Sequence, residues 1–243
     1  MPKILAITHL TASVGKKEIL RDITLSLDTG KLYALMGPNG SGKSTLASCV
    51  MGHPAYTVNG KSRIIFCGKN ITDLSPDKRA RAGIFMTFQS PLFLSGVSIY
   101  QLLRFMLDKK KDPLKIRTLV NKYAQELGVR EELLTRSLND GFSGGEKKKM
   151  EVLQAVMGEA KLIFFDEIDT GVDVDALKTI ALFLKKMKTK ERTMVIITHY
   201  SRILKYLKPD MVLVMKEGKV VAQDGPSLAE KIEKKGYRVV INK

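Results

Sequence analysis

Tryptophan is absent from the 243-residue sequence, and cysteine occurs only twice. Cys49 and Cys67 cannot build a disulfide framework, and neither lies in a C-x-x-C pair of the kind that binds zinc or exchanges disulfides. The chain alone also lacks the four thiolates that an iron–sulfur cluster needs, so no such cluster is expected on it. We expect both cysteines to be buried core residues.

Long apolar runs are missing as well. Uncharged stretches such as 162–165 and 211–215 are far shorter than the ~20 residues of a membrane-spanning helix. The first residues enter a strand-like segment directly, without an apolar signal region or an Arg/Ser-rich leader. The sequence therefore predicts a cytoplasmic protein with no direct membrane insertion.

Acidic residues are scarce beside basic ones: 25 Asp and Glu against 41 Lys and Arg give a formal net charge of +16. This excess of positive charge favours nucleotides, nucleic acid, a membrane surface or an acidic subunit as partners. The net charge alone does not distinguish among these four. No basic segment is interleaved with aromatic residues, so stable nucleic-acid binding is not expected. The lysine runs at 109–111, 185–190 and 231–235 are interpreted as solvated helix faces.

Short β-branched or apolar runs predict strands at 3–10, 32–36, 64–67, 161–165, 194–198 and 211–215. Several are apolar throughout, which is typical of strands buried on both faces in a parallel sheet covered by helices. The predicted class is therefore α/β, with a parallel or mixed sheet.

A different pattern fills residues 91–141. Apolar residues recur every three or four positions in 97–107 and 114–127, with a break at 109–113. We predict one domain over 1–243, with an α/β core formed by 1–90 and 142–243 and an inserted helical subdomain at 91–141.

A glycine-rich segment follows the strand at 32–36 and matches G-x-x-x-x-G-K-[ST]: Gly37, Pro38, Asn39, Gly40, Ser41, Gly42, Lys43 and Ser44, with Thr45 next. Glycines let backbone N–H groups converge on phosphate oxygens, and the following helix adds its positive dipole end. Lys43 would reach the β- and γ-phosphates, and Ser44 would offer its hydroxyl to Mg²⁺. The motif predicts binding of a nucleoside triphosphate such as ATP.

Two carboxylates end the apolar strand at 161–165. Asp166 is in the position expected for a Mg²⁺-linked carboxylate, and Glu167 is placed to polarise the water that attacks the γ-phosphate. His199 follows another apolar run, at the sheet edge where ligands bind, and is interpreted as a γ-phosphate contact. Taken singly, an acidic turn or a structural histidine would explain these residues equally well.

A helix start is predicted at Ser143, Gly144, Gly145 and Glu146, where Ser143 and Glu146 form an S-x-x-E capping box. The exposed amides and the serine would then face an anion. Considered alone, this is an ordinary capped helix rich in lysine.

The order of these motifs resembles the nucleotide-binding domain of ATP-binding-cassette (ABC) ATPases, over nearly the whole chain. The resemblance implies that Gln89, in Thr87-Phe88-Gln89-Ser90, contacts Mg²⁺ and the attacking water beside Ser44 and Asp166. It makes Asp173 the D-loop aspartate and His199 the switch histidine. It also implies that residues 143–146 close over the nucleotide of another copy, so that ATP drives a transient homodimer.

Within that family the chain resembles the SufC branch, the ATPase of the SUF iron–sulfur cluster assembly system. The similar segments are residues 84–91, 141–148, 173–178 and 198–204, together with Pro209-Asp210. This resemblance implies a SufB/SufD-type scaffold as partner, docked near the Gln89 loop and residues 91–107. Three alternatives remain: the motor subunit of a membrane transporter, a nucleic-acid- or ribosome-associated cassette protein, and a nucleotide-bound structural subunit without turnover.

Overall fold

The computed structural model describes residues 2–107, 112–199 and 202–238. The lysines at 109–111, and Tyr200 and Ser201 in the segment after His199, lie outside the described residues. Within the described ranges the strands are β1 (Lys3–Val14), β2 (Lys17–Asp28), β3 (Leu32–Met36), β4 (Thr57–Val58), β5 (Arg63–Phe66), β6 (Lys69–Asn70), β7 (Ile84–Met86), β8 (Leu162–Asp166), β9 (Thr193–Ile197), β10 (Met211–Lys216) and β11 (Lys219–Asp224).

The helices of the same ranges are α1 (Lys43–Met51), α2 (Pro76–Ala82), α3 (Ile99–Met106), α4 (Pro113–Glu126), α5 (Glu132–Thr135), α6 (Gly144–Met157), α7 (Val174–Lys186), α8 (Arg202–Leu207) and α9 (Ser227–Lys235). None of these helices combines the length and the apolar composition needed to cross a bilayer.

The strands form two sheets. The six-stranded sheet has the order β11-β10-β3-β9-β8-β7; β10 through β7 are parallel, and β11 adds an antiparallel edge. The second sheet has the order β2-β1-β5-β6, with β4 also paired to β1, and is antiparallel. The predicted α/β class with a mixed sheet is confirmed.

Burial on both faces explains why the central strands are apolar throughout. In β3, Leu32, Ala34 and Met36 belong to one core cluster, and Tyr33 and Leu35 belong to another. Successive side chains of a strand point to opposite faces, so each face of the parallel sheet needs its own apolar layer. The helices from α3 to α9 contribute to the cluster on one face, and α1 contributes to the cluster on the other, which contains residues of both sheets.

The segment predicted to be helical contains α3, α4 and α5. A capping box starts α3, in which the Ser98 hydroxyl accepts from the Gln101 amide and the Gln101 side chain accepts from the Ser98 amide. The Asp112 side chain caps α4, where Pro113 occupies the first turn. The division of the chain into a core and a helical subdomain stays a prediction.

One cysteine differs from expectation. Cys49 is buried on α1, as predicted, but Cys67 is exposed. The prediction for Cys67 was wrong because β5 ends at Phe66, and the chain then turns with Cys67 in a left-handed conformation at φ 47°. The apolar alternation of the strand therefore does not extend to this residue.

Candidate functional site

The phosphate loop joins β3 to α1, the arrangement that its sequence predicts. Gly42 precedes α1 with φ 101°, a conformation that favours glycine. A Cβ at Gly37 would lie 2.3 Å from the Met215 carbonyl oxygen and 2.7 Å from the Ser41 Oγ. Side chains are therefore excluded at these two positions, and the backbone amides of the loop stay accessible to phosphate oxygens.

Lys43 is folded back onto the loop that precedes it. Its Nζ donates to the Gly37 carbonyl at 2.8 Å and to the Pro38 carbonyl at 3.0 Å. An ammonium has three donors, so these two contacts leave one N–H for a further acceptor such as a phosphate oxygen. Burial lowers the pKa of Lys43, and the charges of Glu167 and Asp166 oppose that shift.

The remaining loop residues fit a nucleotide. Ser41 is buried, and its Oγ has no hydrogen-bond partner among the described residues. A buried hydroxyl without a partner is costly, and a phosphate oxygen would satisfy it. Pro38, Asn39 and Gly40 are at least partly accessible, and Thr45 is half-buried beside Ser44.

Two oxygen ligands for a divalent cation are already adjacent. The Ser44 Oγ donates to the Asp166 Oδ1 at 3.0 Å, although the two residues are 122 positions apart. Burial raises the pKa of Asp166, and the Ser44 hydrogen bond opposes that shift. Hydroxyl and carboxylate oxygens are ligands that Mg²⁺ prefers, so these residues fit the ion.

Glu167 is the centre of a second cluster. Its Oε2 accepts from the Gln89 Nε2 at 3.2 Å, and its Oε1 lies 3.3 Å from the His199 Nδ1. The side chains of Glu167 and His199 are 14% and 19% exposed, so the pair is largely shielded from water. Three residues predicted separately from the sequence thus meet at the carboxyl end of the parallel sheet.

The predicted capping box at Ser143 is present. The Ser143 Oγ accepts from the Glu146 amide at 3.3 Å, and the Glu146 Oε2 accepts from the Ser143 amide at 2.8 Å. These hydrogen bonds hold the pKa of Glu146 below its ordinary value, with help from Arg130, whose Nη2 is 3.0 Å from the carboxylate. The geometry gives Glu146 a capping role, while Ser143 and Gly144 face outward.

In the described ranges, residues 143–146 form no hydrogen bond or ion pair with residues 37–45, the phosphate loop of their own chain. A Cβ at Gly144 would instead lie 3.0 Å from the Gly171 carbonyl oxygen. Nearby, the Asp173 Oδ1 accepts from the Ala176 amide at 2.8 Å and caps α7. Residues 143–146, which we call the signature, thus lie next to the loop that precedes α7.

The structure adds contacts that the sequence motifs did not identify. The Thr87 Oγ1 accepts from the Asp166 backbone amide at 2.8 Å, which ties the residue after β7 to the end of β8. The Tyr237 hydroxyl accepts from the Gly37 amide at 3.1 Å. Both contacts join residues far apart in the chain, so only the fold reveals them.

Comparisons with known proteins agree with this geometry. The ABC transporter family model matches residues 20–170. A probable ATP-dependent transporter, ycf16, of Cyanophora paradoxa is 40% identical over 243 aligned positions, covering 97% of this chain and 93% of the relative. A probable ABC transporter ATP-binding protein of Streptococcus pyogenes serotype M18 is 43% identical, covering 96% of this chain and 93% of the relative.

Solved structures agree as well. A nucleotide-free ATP-binding cassette from an ABC transporter superposes with a TM-score of 0.80 at 25% identity, covering 100% of this chain and 99% of that one. The ADP conformation of an ATP-binding cassette of an ABC transporter gives 0.79, also at 25% identity, with 100% and 98% covered. This chain therefore belongs to the ABC transporter family and is an ATP-hydrolysing cassette of it.

Proposed function

We propose that this cassette is the ATPase subunit of a cytoplasmic iron–sulfur cluster assembly machine of the SUF type, acting on a SufB/SufD-type scaffold. The hydrolysis step rests on one observation: the Glu167 carboxylate is in contact with both Gln89 and His199. The assembly role rests on the SufC-like sequence segments, among them residues 141–148 and 173–178.

In the proposed mechanism, Glu167 orients the attacking water and draws its proton, while Gln89 and His199 hold the carboxylate in place. Lys43 and the loop amides stabilise charge on the transferring phosphoryl group. Ser44, Asp166 and Gln89 would hold Mg²⁺, which would supply positive charge to offset that of the triphosphate. The protein thus contributes positioning and electrostatics.

ATP binding is proposed to join two copies of the chain into a transient homodimer. Ser143 and Gly144 are exposed at the start of α6, where helix-terminal N–H groups attract anions. In the part of the chain that the structure describes, no hydrogen bond or ion pair joins them to their own phosphate loop, which supports a second copy as the source of the phosphate that they would bind. Each chain then carries two half-sites, and hydrolysis weakens the link between them.

A groove of about 940 Å³ beside α3 is the proposed docking site for the scaffold. It is lined by the side chain of Phe105, which is 90% exposed, and by Phe85 and Met106. Arg81 and Arg104 flank this apolar surface, and Asp77 is its one acidic residue among the described lining. Such a lining fits a scaffold segment that carries both apolar and acidic side chains.

Docking is tested by co-purification of the scaffold with the Phe105→Ser variant. We expect the scaffold to be lost, because an exposed aromatic anchor contributes much of an interface's binding energy. Leu182→Ser is the matched control, since Leu182 is 51% exposed on α7, away from the groove lining. Equal recovery of scaffold with both variants would contradict the assignment of the groove.

The names of the relatives favour a second candidate function, the motor subunit of an ABC membrane transporter. The ATP chemistry would be the same, and the partner would be an integral membrane protein. Anaerobic affinity purification of the endogenous protein, with partner identification and iron and sulfide analysis, separates the two. Recovery of a membrane subunit without iron or sulfide would overturn the assembly proposal.

The hydrolytic role of Glu167 is tested with Glu167→Gln. We expect turnover to fall by roughly 10²–10⁴-fold, because the amide cannot accept the proton of the attacking water. ATP binding and ATP-driven dimers should persist, since the phosphate loop is untouched. Normal turnover would show that Glu167 has another role.

A further inference from the structure

A buried ion pair lies on α6, one turn after the signature. Lys148 Nζ is 3.5 Å from Glu151 Oε2, and the two side chains are only 7% and 6% exposed. Burial of two charges is expensive, and such a pair adds little stability by itself. Burial also raises the pKa of Glu151, against the opposing charge of Lys148. The role of this pair is therefore indicated by the hydrogen bonds that its two side chains make with other residues.

Both side chains bind the backbone of the Gln89 loop. Glu151 Oε1 accepts from the Phe88 amide at 2.8 Å. Lys148 Nζ donates to the Phe88 carbonyl at 3.3 Å and to the Gln89 carbonyl at 3.1 Å. These contacts begin where the sheet ends, because Thr87 is the last residue here whose amide bonds to β8, through the Phe164 carbonyl.

From these contacts we infer that Lys148 and Glu151 are positioning residues for ATP hydrolysis, which hold the Phe88–Gln89 backbone so that the Gln89 side chain reaches Glu167. The Gln89 side chain is exposed, and its one hydrogen bond to a described residue is that to Glu167, at 3.2 Å. The position of the Phe88–Gln89 backbone therefore determines whether the Gln89 side chain reaches Glu167. The inference rests on the proposed role of Glu167 and Gln89.

Ser143 caps the N-terminus of the same helix. The Lys148–Glu151 pair therefore also connects residues 143–146 to the Gln89 loop. A rigid helix carries its side chains with it, and a displacement of α6 would move Lys148 and Glu151 together with Ser143. The Gln89 backbone, bonded to both, would follow. Engagement of Ser143 by a second copy would thereby be transmitted to the residue that contacts Glu167.

The test compares Glu151→Ala with Glu151→Gln in the full chain, measuring kcat and the KM for ATP at saturating Mg²⁺. Alanine removes the acceptor of the Phe88 amide, and glutamine retains it. We expect kcat to fall at least about tenfold in Glu151→Ala, with KM changed less than about twofold because the phosphate loop is untouched. Glu151→Gln should recover most of the lost kcat.

A surface pair provides the matched control. Lys186 Nζ and Glu126 Oε1 are 2.8 Å apart, with Lys186 58% exposed, and neither residue touches the Gln89 loop. Lys186→Met and Glu126→Gln should leave kcat and KM at their wild-type values. Amide hydrogen exchange of the 84–92 peptide should quicken in Glu151→Ala and stay unchanged in both control variants.

A merely structural role predicts a different result. In that case Glu151→Ala lowers the melting temperature while the folded fraction keeps its kcat and its exchange rate at residues 84–92, and the inference is overturned. If Glu151→Ala does not fold, Lys148→Met is read in the same assays with the same expectations. If Glu167→Gln keeps its turnover, the proposed role of Glu167 fails. If Glu167→Gln loses turnover and the Lys148 and Glu151 variants keep theirs, this inference alone fails.

Discussion

At the scale of single residues, the backbone of Glu167 is unusual. It has φ 47°, in the left-handed region, and its amide donates to the Ile197 carbonyl at 3.0 Å. A residue other than glycine or asparagine occupies this region at a cost, and such strain is found at functional sites. The turn that directs the carboxylate toward Gln89 and His199 therefore lowers the stability of the fold.

This strain predicts that activity and stability oppose each other at Glu167. Glu167→Asn should lose turnover, as Glu167→Gln does, but it should resist urea better than Glu167→Gln by up to about 1 kcal/mol, because asparagine tolerates the left-handed region. Urea unfolding of the two nucleotide-free variants measures the difference. Equal free energies of unfolding would show that the turn is unstrained.

The two cysteines should differ sharply in reactivity. Burial raises the pKa of Cys49 to about 12, although Arg79 opposes the shift, so Cys49 has almost no thiolate at neutral pH. Cys67 is exposed. Mass spectrometry after treatment with N-ethylmaleimide should find one adduct on the native chain and two on the unfolded chain. Cys67→Ser should leave the native chain unmodified, and an adduct on that variant would contradict the burial of Cys49.

At the scale of elements, α2 secures the far end of the phosphate-loop helix through Arg79. The guanidinium, buried at 3% exposure, donates to the carbonyls of Cys49 and Val50 at the end of α1. It also donates to the carbonyls of Thr72 and Leu74. One side chain therefore donates to four carbonyls, and two of these belong to the last turn of the helix that begins at Lys43.

Replacement of Arg79 by methionine should lower the free energy of unfolding by about 3 kcal/mol, because several buried carbonyls would lose their donor. Arg81→Met on the same helix is the control, since Arg81 is 82% exposed and its 3.8 Å ion pair with Asp77 lies at the surface. The control should change stability by at most about 0.5 kcal/mol. Chemical denaturation compares the two, and equal losses would argue against the anchoring role.

How far the sequence predicted these elements depends on how each strand is buried. The strands β3, β8, β9 and β10 were predicted to within about two residues because both of their faces are buried, which leaves a continuous apolar run. The strand β2 was missed, since charged residues such as Lys17, Glu18 and Arg21 interrupt its pattern at the exposed face. The strand β7 has only three residues, too few for a periodic signal.

The residues of the site were likewise predicted only where the sequence carries a local signal. Motifs identified Lys43, Asp166 and Glu167, because each directly follows a recognisable strand or glycine-rich loop. Lys148 and Glu151 carried no such signal, since they look like residues of a solvated helix face until the fold brings the Gln89 loop against them. The contact of Ser143 with a second copy stays a prediction.

At the scale of the whole molecule, the proposed homodimer predicts that two inactive variants restore each other. Lys43→Ala removes a phosphate contact from the phosphate loop. Ser143→Arg places a large side chain where residues 143–146 would meet the nucleotide of a second copy. In a mixed dimer, one composite site carries both defects and the other carries neither. An equimolar mixture should regain about a quarter of wild-type ATPase activity, because about half of the dimers are mixed and each has one intact site.

The control for this experiment places both substitutions in one chain. A double variant mixed with wild-type protein puts one defect in each composite site of the mixed dimer, so those dimers should remain inactive. The ATPase rate of each mixture is compared with the rates of its separate components. No gain over the separate Lys43→Ala and Ser143→Arg chains would rule out sites shared between two copies.

The position of β3 in the sheet has a consequence for biogenesis. This early strand, at residues 32–36, has β9 and β10 as its immediate neighbours, and both emerge from the ribosome more than 150 residues later. In a nascent chain shorter than 193 residues, β3 has neither of its neighbouring strands. The glycine-rich turn then follows a strand whose two edges are exposed to solvent. The pocket cannot form before residues 193–216 have been synthesised, so a newly made chain competes for cellular ATP only after β9 and β10 have joined β3.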